Sequence, residues 1–309
     1  MSHLQPVAYR SGDLGRLIDF IYRIRKPEDL ARVPTGVDFE ETMNSPQVRE
    51  LTRLWLDDAP VICGYSYIDP HFCNLFYEID PRYETKAMHT EIIGWGIRTF
   101  IQLKNDGIVD PGDPLDTNWD ESDTLRIDAL KSMGFVPQDL MTLHLSRSLL
   151  EPIPSVKLPP GFSIRPVSGE TEVDAIVALY HDAYGTDRMQ REDVLAIMRT
   201  TSYDRELDLV AVSPDGRLAG LCTCTIEEEL NKILPVKLGS TDPVLVHPDF
   251  QGLGLSRALI WRGWELLRAQ GVEQAGLGTS SKNERGIAAF TRAGYHIDNR
   301  RQWFSHPAD

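Results

Sequence analysis

The stretch LEPIPSVKLPPGF, Leu150–Phe162, places four prolines in thirteen residues. Proline supplies no backbone donor and disfavours helix at and before its own position, so this stretch reads as an extended connector that divides the chain. Each side of it runs through one plan. The first side opens with VAYRSGDLGRLIDFIYRIR, a short strand and a helix with Leu14, Leu17, Ile18 and Ile21 on one face. The second opens with FSIRPVSGETEVDAIVALYHDAY, a strand and a helix through Val173, Ile176, Val177 and Tyr180. Further on, APVICGYSYIDPHFCNLFYEIDP parallels DLVAVSPDGRLAGLCTCTIEE and DPVLVHP as strands, and TEIIGWGIRTFIQLKNDG parallels SRALIWRGWELLRAQG as the next helix. Both sides close on a helix, a glycine stop and a strand, with Gly134 and Gly294 suited to the C′ position. The pattern is an internal duplication of one mixed α/β unit: a domain over 1–149, a connector over 150–160 and a second domain over 161–309. A length of 309 residues suits two domains of about 150 each.

Composition narrows the function classes. With 41% hydrophobic and 25% charged residues the chain reads as globular, and no apolar run approaches the ~20 residues of a membrane helix. The opening MSHLQPVAYRSGD lacks the apolar segment of a secretory signal, so the expected location is cytoplasmic, with no membrane partner. A net charge of −14 argues against a nucleic-acid partner, because phosphate binding needs a basic footprint. It accommodates a cationic small substrate such as an amine, and equally an acidic surface that keeps a protein in solution. Cys222 and Cys224 share one strand face, while Cys63 and Cys73 have no partner at metal-ligand spacing, so neither a metal nor a disulfide is expected.

Chemistry concentrates in VLVHPDFQGLGLSRALIWRGWELL, Val244–Leu267: a buried strand, a turn over Gln251–Ser256 and an amphipathic helix. Helix N-termini expose unpaired N–H groups at the positive end of the dipole, so an anion can bind there. Gly252 and Gly254 permit an approach to the backbone that a Cβ would block. A dinucleotide fingerprint would need glycine where Arg257 stands, and a P-loop would need a Lys-Ser/Thr pair after the second glycine. A tight turn without a ligand is the remaining alternative.

The segment HPDFQGLGLSRAL resembles the coenzyme A motif of the GNAT acyltransferases, Gln/Arg-x-x-Gly-x-Gly/Ala. Gln251 and Gly254 fill its first two fixed positions, and Ser256 stands where the family prefers Gly or Ala. NERGIAAFTRAGY, Asn283–Tyr295, is similar to the family's closing element, with Gly286 and Ala289 at its Ala and Leu positions. The resemblance covers Gly161 to His306. It implies that acetyl-CoA binds as co-substrate, its pyrophosphate on the turn formed by Gln251, Gly252, Leu253, Gly254, Leu255, Ser256 and Arg257. The strand Val244, Leu245, Val246 would splay from its neighbour and pair with the pantetheine arm, and Asn283 and Phe290 would line the cofactor. The implied activity is N-acetyl transfer to a primary amine of a small molecule. The first half resembles the same fold without the turn: Glu84-Thr85-Lys86-Ala87-Met88 stands where the glycines should be, and side chains there would fill the anion site. The implied architecture is two tandem GNAT-like domains with a degenerate N-terminal one, similar in plan to mycothiol synthase.

Acetyl transfer needs a neutral amine, a polarised thioester carbonyl and a proton for the thiolate. The backbone N–H groups of Leu245 and Val246 are candidates for the carbonyl. The family's usual glutamate position is Ser240 here, so Asp242 becomes the candidate catalytic base, acting through a water; as part of STDP it equally suits a turn. The family's usual acid, a tyrosine, matches Phe290, which has no proton to give, and Tyr295 is a packing position. His181, near Asp182 and Tyr184, is either an alternative base or a solvated helix end. The run Glu227-Glu228-Glu229 either attracts a cationic acceptor or tips a hairpin. These departures leave a second reading open, a non-catalytic acyl-CoA-binding sensor or scaffold.

Overall fold

The computed structural model of the protein describes residues 4–26, 36–200, 202–226 and 228–308. They fall into two compact units, one of residues 4–26, 38–142 and 300–308, the other of 36–37 and 143–299. The first runs β1 (Gln5–Ala8), α1 (Leu14–Ile24), α2 (Gly36–Asn44), α3 (Pro46–Glu50), β2 (Thr52–Leu56), β3 (Ile62–Asp69), β4 (Asn74–Ile79), α4 (Lys86–Asn105), β5 (Leu115–Asp120) and α5 (Thr124–Ser132). Then follows β6 (Val136–Ser148), within which the division between the units falls. The second runs β7 (Ser163–Pro166), α6 (Val173–Tyr184), α7 (Arg191–Met198), β8 (Asp208–Val212), β9 (Leu218–Ile226), α8 (Glu228–Ile233), β10 (Leu238–Val246), α9 (Leu255–Ala269), β11 (Gln274–Ser280), α10 (Glu284–Ala293) and β12 (His296–His306). Apart from α3 and the inserted α8, the two runs repeat one order of strands and helices. Among the described residues no helix is long and apolar enough to cross a membrane.

In the first unit the strands lie in the order β1-β2-β3-β4-β5-β12, and in the second β6-β11-β10-β9-β8-β7. Each repeat thus gives its last strand to the other unit's sheet. In the first unit, β12 supplies six antiparallel pairs with β5, from Arg301↔Asp120 to His306↔Leu115. The division of the chain therefore differs from the one drawn at the proline connector: 143–149 count with the second unit and 300–308 with the first. A ladder of backbone bonds decides this, and proline content does not report on it.

Side-chain alternation explains the layers. In the first unit α1 buries Leu17, Phe20 and Ile21 against Tyr65 and Tyr67 of β3. Phe20 joins the stripe expected from the sequence, and Ile18 is only half-buried. On the opposite face α4 packs Ile92 and Phe100 with Leu75 and Tyr77 of β4. In the second unit α6 packs Val173, Ile176 and Leu179 with Val210, Leu221 and Leu245. On the other face α9 approaches so closely that a Cβ on Gly263 would stand 2.6 Å from Cys224 Sγ, which is why that helix carries a glycine mid-span. Cys222 and Cys224 are buried on this face and unbridged. Gly134 follows the C-cap of α5, and Gly294 is itself the C-cap of α10, each with positive φ.

The start of α4 in the first unit is filled by its own side chains. Thr85 Oγ1 caps the helix by accepting the Met88 N–H at 3.2 Å. His89 Nε2 lies 3.0 Å from Glu84 Oε1, and His89 Nδ1 lies 3.1 Å from the Tyr77 hydroxyl. The parallel pairing of β4 with β5 is confined to Asn74↔Asp116. Beyond it Arg126 donates to the Tyr77 carbonyl at 3.1 Å and lies 3.6 Å over the Trp119 ring. Burial, and then the Arg126 charge, push the His89 pKa down from 6.5 to about 4. The folded imidazole thus refuses a proton that the unfolded chain takes up between those values, so stability falls as pH drops through that window. Glu84, its carboxyl raised by burial, acts in the opposite sense and makes the slope shallower. Thermal melting followed by circular dichroism from pH 7 to pH 4 is expected to show a falling Tm. His89→Gln should flatten the fall; an unchanged slope would place it on other groups.

Candidate active site

The second unit treats the equivalent helix start differently. After β10 comes a 3-10 turn over Pro248–Phe250 and then the glycine turn, with φ of +81° at Gly252 and +82° at Gly254. Both values lie in the left-handed region that a Cβ disfavours, and a Cβ on Gly252 would meet nothing within 4 Å. These glycines answer to backbone conformation and access, not to packing. Gly254 is the N-cap of α9 and offers no side-chain cap. The first helical bond runs from Ala258 N–H to the Gly254 carbonyl at 3.1 Å, so the amides of Leu255, Ser256 and Arg257 point outward. Arg257 adds a side-chain cation, 5.1 Å from the Trp261 ring. Leu253 is exposed and Leu255 buried, pinning the turn to the core.

Beside this turn the sheet opens. β10 pairs with β11 in parallel only from Leu238↔Gln274 to Ser240↔Gly276. On its other edge β10 pairs with β9, with a bulge between Thr241 and Val244. The bulge inverts the alternation. Gly239 and Thr241 face α9, where Thr241 Oγ1 meets the Tyr295 hydroxyl at 2.6 Å, whereas Leu245 beyond the bulge faces α6. His247 N–H donates to the Ala219 carbonyl at 3.0 Å, and an antiparallel ladder alternates, so the Leu245 amide also faces β9. The amides of Val244 and Val246 face the opening. Of the pair expected from the sequence, Leu245 turns its N–H toward β9 and Val246 turns its N–H toward the opening. Gln251 Nε2 donates to the Val246 carbonyl at 3.3 Å and ties the turn to the strand end.

Asp242 sits in the bulge, exposed, with Oδ2 accepting the Gly278 N–H at 2.9 Å. It thereby satisfies a β11 amide that the parallel ladder has abandoned. Tyr184 at the end of α6 feels its charge: burial first, then Asp242, raise that phenol to about 12. Ser240 Oγ pairs with Thr225 Oγ1 at 2.5 Å. His181 Nε2 donates to the Met189 carbonyl at 2.6 Å, which ties that ring nitrogen to the loop before α7. Asp182 pairs with His247 at 3.2 Å. Glu227 and the Glu229 side chain lie outside the described residues, and Glu228 opens α8, exposed.

At the closing element, Asn283 caps α10: its Oδ1 accepts the Gly286 N–H at 2.9 Å and its Nδ2 donates to Thr279 Oγ1 at 3.0 Å. A Cβ on residue 286 would fall 2.2 Å from Asn283 Nδ2, so this cap requires the glycine that replaces the family's alanine. Phe290 is 7% exposed and offers only apolar surface. Tyr295 is buried, accepts the Trp264 indole N–H at 2.9 Å, and has its phenol pushed far up by burial.

Residues 173–295 match the family model described as "Acetyltransferase (GNAT) family". Over those residues the chain is similar to the GNAT acetyltransferases. Its sequence is 30% identical over 168 residues to the mycothiol acetyltransferase of Sanguibacter keddieii, covering 52% of this chain and 53% of that protein. Against the mycothiol acetyltransferase of Saccharopolyspora erythraea it is 28% identical over 195 residues, covering 58% and 62%. The chain thus spans about half the length of the curated relatives it matches. In fold it is similar to a GCN5-related N-acetyltransferase from Sphaerobacter thermophilus (TM-score 0.72, 18% identity, 98% of this chain and 95% of that one). It is also similar to a tandem GNAT protein from the clavulanic acid biosynthesis pathway (TM-score 0.69, 15% identity, 100% and 99%). The fold is that of two GNAT-like domains.

Next to the second unit's glycine turn lies an open groove of about 300 Å³, lined by Pro154, Ser155 and Lys157 with Arg257, Ala258 and Trp261. Lys157 was legible in the sequence only as part of a connector. The Tyr295 hydroxyl couples β10 to α9, and its removal leaves Thr241 and Trp264 without that partner. Tyr295→Phe should therefore lower the unfolding free energy by about 1–3 kcal/mol in urea denaturation. A variant of unchanged stability would show that the hydroxyl does not hold these elements together.

Proposed function

We propose that the protein is an acetyl-CoA-dependent N-acetyltransferase that acetylates a primary amine of a small molecule, with the chemistry in the second unit. The observation that carries this reading is the conjunction of an uncapped helix start behind two left-handed glycines with a sheet edge left unpaired beside it. The amides of Leu255, Ser256 and Arg257 suit a pyrophosphate, and Lys157 and Arg257 add positive charge in the adjoining groove. The amides of Val244 and Val246 suit the pantetheine arm and the thioester carbonyl. Acetyl-CoA, when bound, supplies the activated acetyl group. Asp242 takes the proton of the attacking amine, directly or through a water. Phe290 has no proton and Tyr295 is committed inside the core, so the leaving thiolate draws its proton from solvent water. The relatives named mycothiol acetyltransferases support this reaction class.

A second reading, a non-catalytic acyl-CoA sensor or scaffold, draws on the same two residues and on Ser240 in the usual base position. Release of free coenzyme A thiol with a panel of amines separates the two: amine-dependent release supports the enzyme, and binding without release supports the sensor.

Binding of acetyl-CoA at the turn has a direct test. Gly254→Glu puts a carboxylate where the outward amides meet the ligand, and calorimetry should show binding lost while circular dichroism stays near native. Gly254→Ala, which shares the positive-φ strain without the charge, should keep measurable binding. The wild-type titration should saturate at one equivalent, because Thr85, Glu84 and Arg126 fill the matching place in the first unit. Unchanged affinity in the glutamate variant, or a second equivalent, would overturn the assignment.

Asp242→Asn keeps an oxygen to accept the Gly278 N–H and removes only the charge. The rate should fall at least tenfold, within the roughly 10²–10⁴-fold range of general-base contributions, with acetyl-CoA affinity unchanged. Wild-type turnover in this variant would remove Asp242 from the proton path.

A further inference from the structure

Two glycines lie two residues apart on β11, Gly276 and Gly278, and so point to the same face. That face is the one toward α6: Gly239 and Thr241 face α9, Ser240 faces away from it, and Ser240 is the parallel partner of Gly276. The result is a strip of bare backbone on the strand that borders the opening. A charged or ionisable side chain stands at each end. At Gly278 the Asp242 carboxylate lies 3.3 Å from where a Cβ would be, and at Gly276 the His144 Nε2 lies 2.9 Å from the corresponding point.

His144 comes from β6, and its ring is held. Its Nδ1 lies 2.6 Å from Asp298 Oδ1 on β12, with side chains 15% and 19% exposed. In the Nδ1–H tautomer Asp298 accepts that proton and Nε2 offers a lone pair over the glycine strip. Among the described residues this Nε2 has no hydrogen-bond partner. Gly276 is what makes room for it, since an alanine there would collide with the imidazole.

We propose that this strip seats the acceptor, its reacting amine at the Asp242 end and a second donor group, a hydroxyl or another amine, on His144 Nε2. The proposal rests on the acetyltransferase reading above and deepens it. The two glycines are about 6.6 Å apart along the strand, and a ligand group at each end of it makes the acceptor class an amino alcohol or diamine of comparable reach. A simple alkylamine leaves the His144 lone pair unmatched and gains only the Asp242 contact. His144 is thus a specificity-determining residue, and Asp298 positions its ring.

The test uses the full chain loaded with coenzyme A and compares 4-amino-1-butanol and 1,4-diaminobutane with n-pentylamine by calorimetry. The first two should bind at least tenfold more tightly than the third. His144→Leu should erase that preference while keeping pentylamine affinity, and Gly276→Ala, which displaces the ring without removing it, should do the same. Asp298→Asn should reduce the preference by a smaller factor, and circular dichroism monitors folding of each variant. Equal affinities in the wild type, an equal loss for all three amines in the variants, or no amine binding would overturn the proposal. Thiol release is followed in a parallel assay with acetyl-CoA in place of coenzyme A. Selective binding without acetyl transfer would sink the acetyltransferase reading and leave the acceptor strip standing.

Discussion

The second unit is organised by the early end of the parallel ladder between β10 and β11. Backbone groups of two adjacent strands normally satisfy one another, and here pairing stops at Ser240↔Gly276. The abandoned groups need other partners. Asp242 takes the Gly278 N–H and Gln251 takes the Val246 carbonyl, while the Val244 and Val246 amides face the opening. A bulge at Asp242 and Pro243 lets β10 bend away from β11 and still keep its register with β9. The uncapped start of α9 stands beside the same opening, so one gap collects strand amides, helix amides and the positive end of a dipole.

The first unit meets the same physical demands with its own residues. Its β4 and β5 also part after a single pair, yet Arg126 closes onto the Tyr77 carbonyl and Thr85 caps the following helix. Glu84, His89 and Tyr77 then form a hydrogen-bonded chain in place of a ligand. The comparison gives the glycine turn its meaning. Where side chains satisfy the helix start, the place is filled; where Gly252 and Gly254 stand, the amides stay outward and open to a ligand. A buried neutral histidine is the residue of that closure, and it makes the first unit sensitive to acid while the second is not sensitive by that route.

Local chemistry was legible in the sequence, and long-range pairing was not. The glycine turn, the helix after it, the repeated order of elements and the filled site at Glu84–Met88 each rest on residues within one short stretch. The exchange of final strands rests on β5 meeting β12 across about 180 residues, and no local pattern reports it. The amide parity at Leu245 failed for a related reason. Counting by twos along β10 is valid only without a bulge, and Asp242-Pro243 supplies one. Asn283, which the resemblance places beside the cofactor, also caps α10, and Gly286 is the residue that could have signalled the cap, since a Cβ there would crowd the Asn283 side chain. The pairing of His144 with Asp298 spans 154 positions and lay outside every motif.

The departures at Phe290 and Ser240 become coherent once the polar groups are placed by face. On the α9 face of the second sheet the polar groups are held by packing: Tyr295, Thr241 and Trp264 bond to one another inside the core. On the α6 face the groups remain partly exposed: Asp242 at one end of a bare strip of β11, His144 with Asp298 at the other, and Tyr184 within reach of the Asp242 charge. Groups that could handle a proton are therefore concentrated on the α6 face and bonded to one another on the α9 face; in the proposed reaction the former would serve the incoming amine. A domain arranged this way gains most by making the incoming amine a good nucleophile. It gains least with leaving groups that need assistance, and a thiolate, the conjugate base of a thiol with a pKa near 8.5, is one that departs without it.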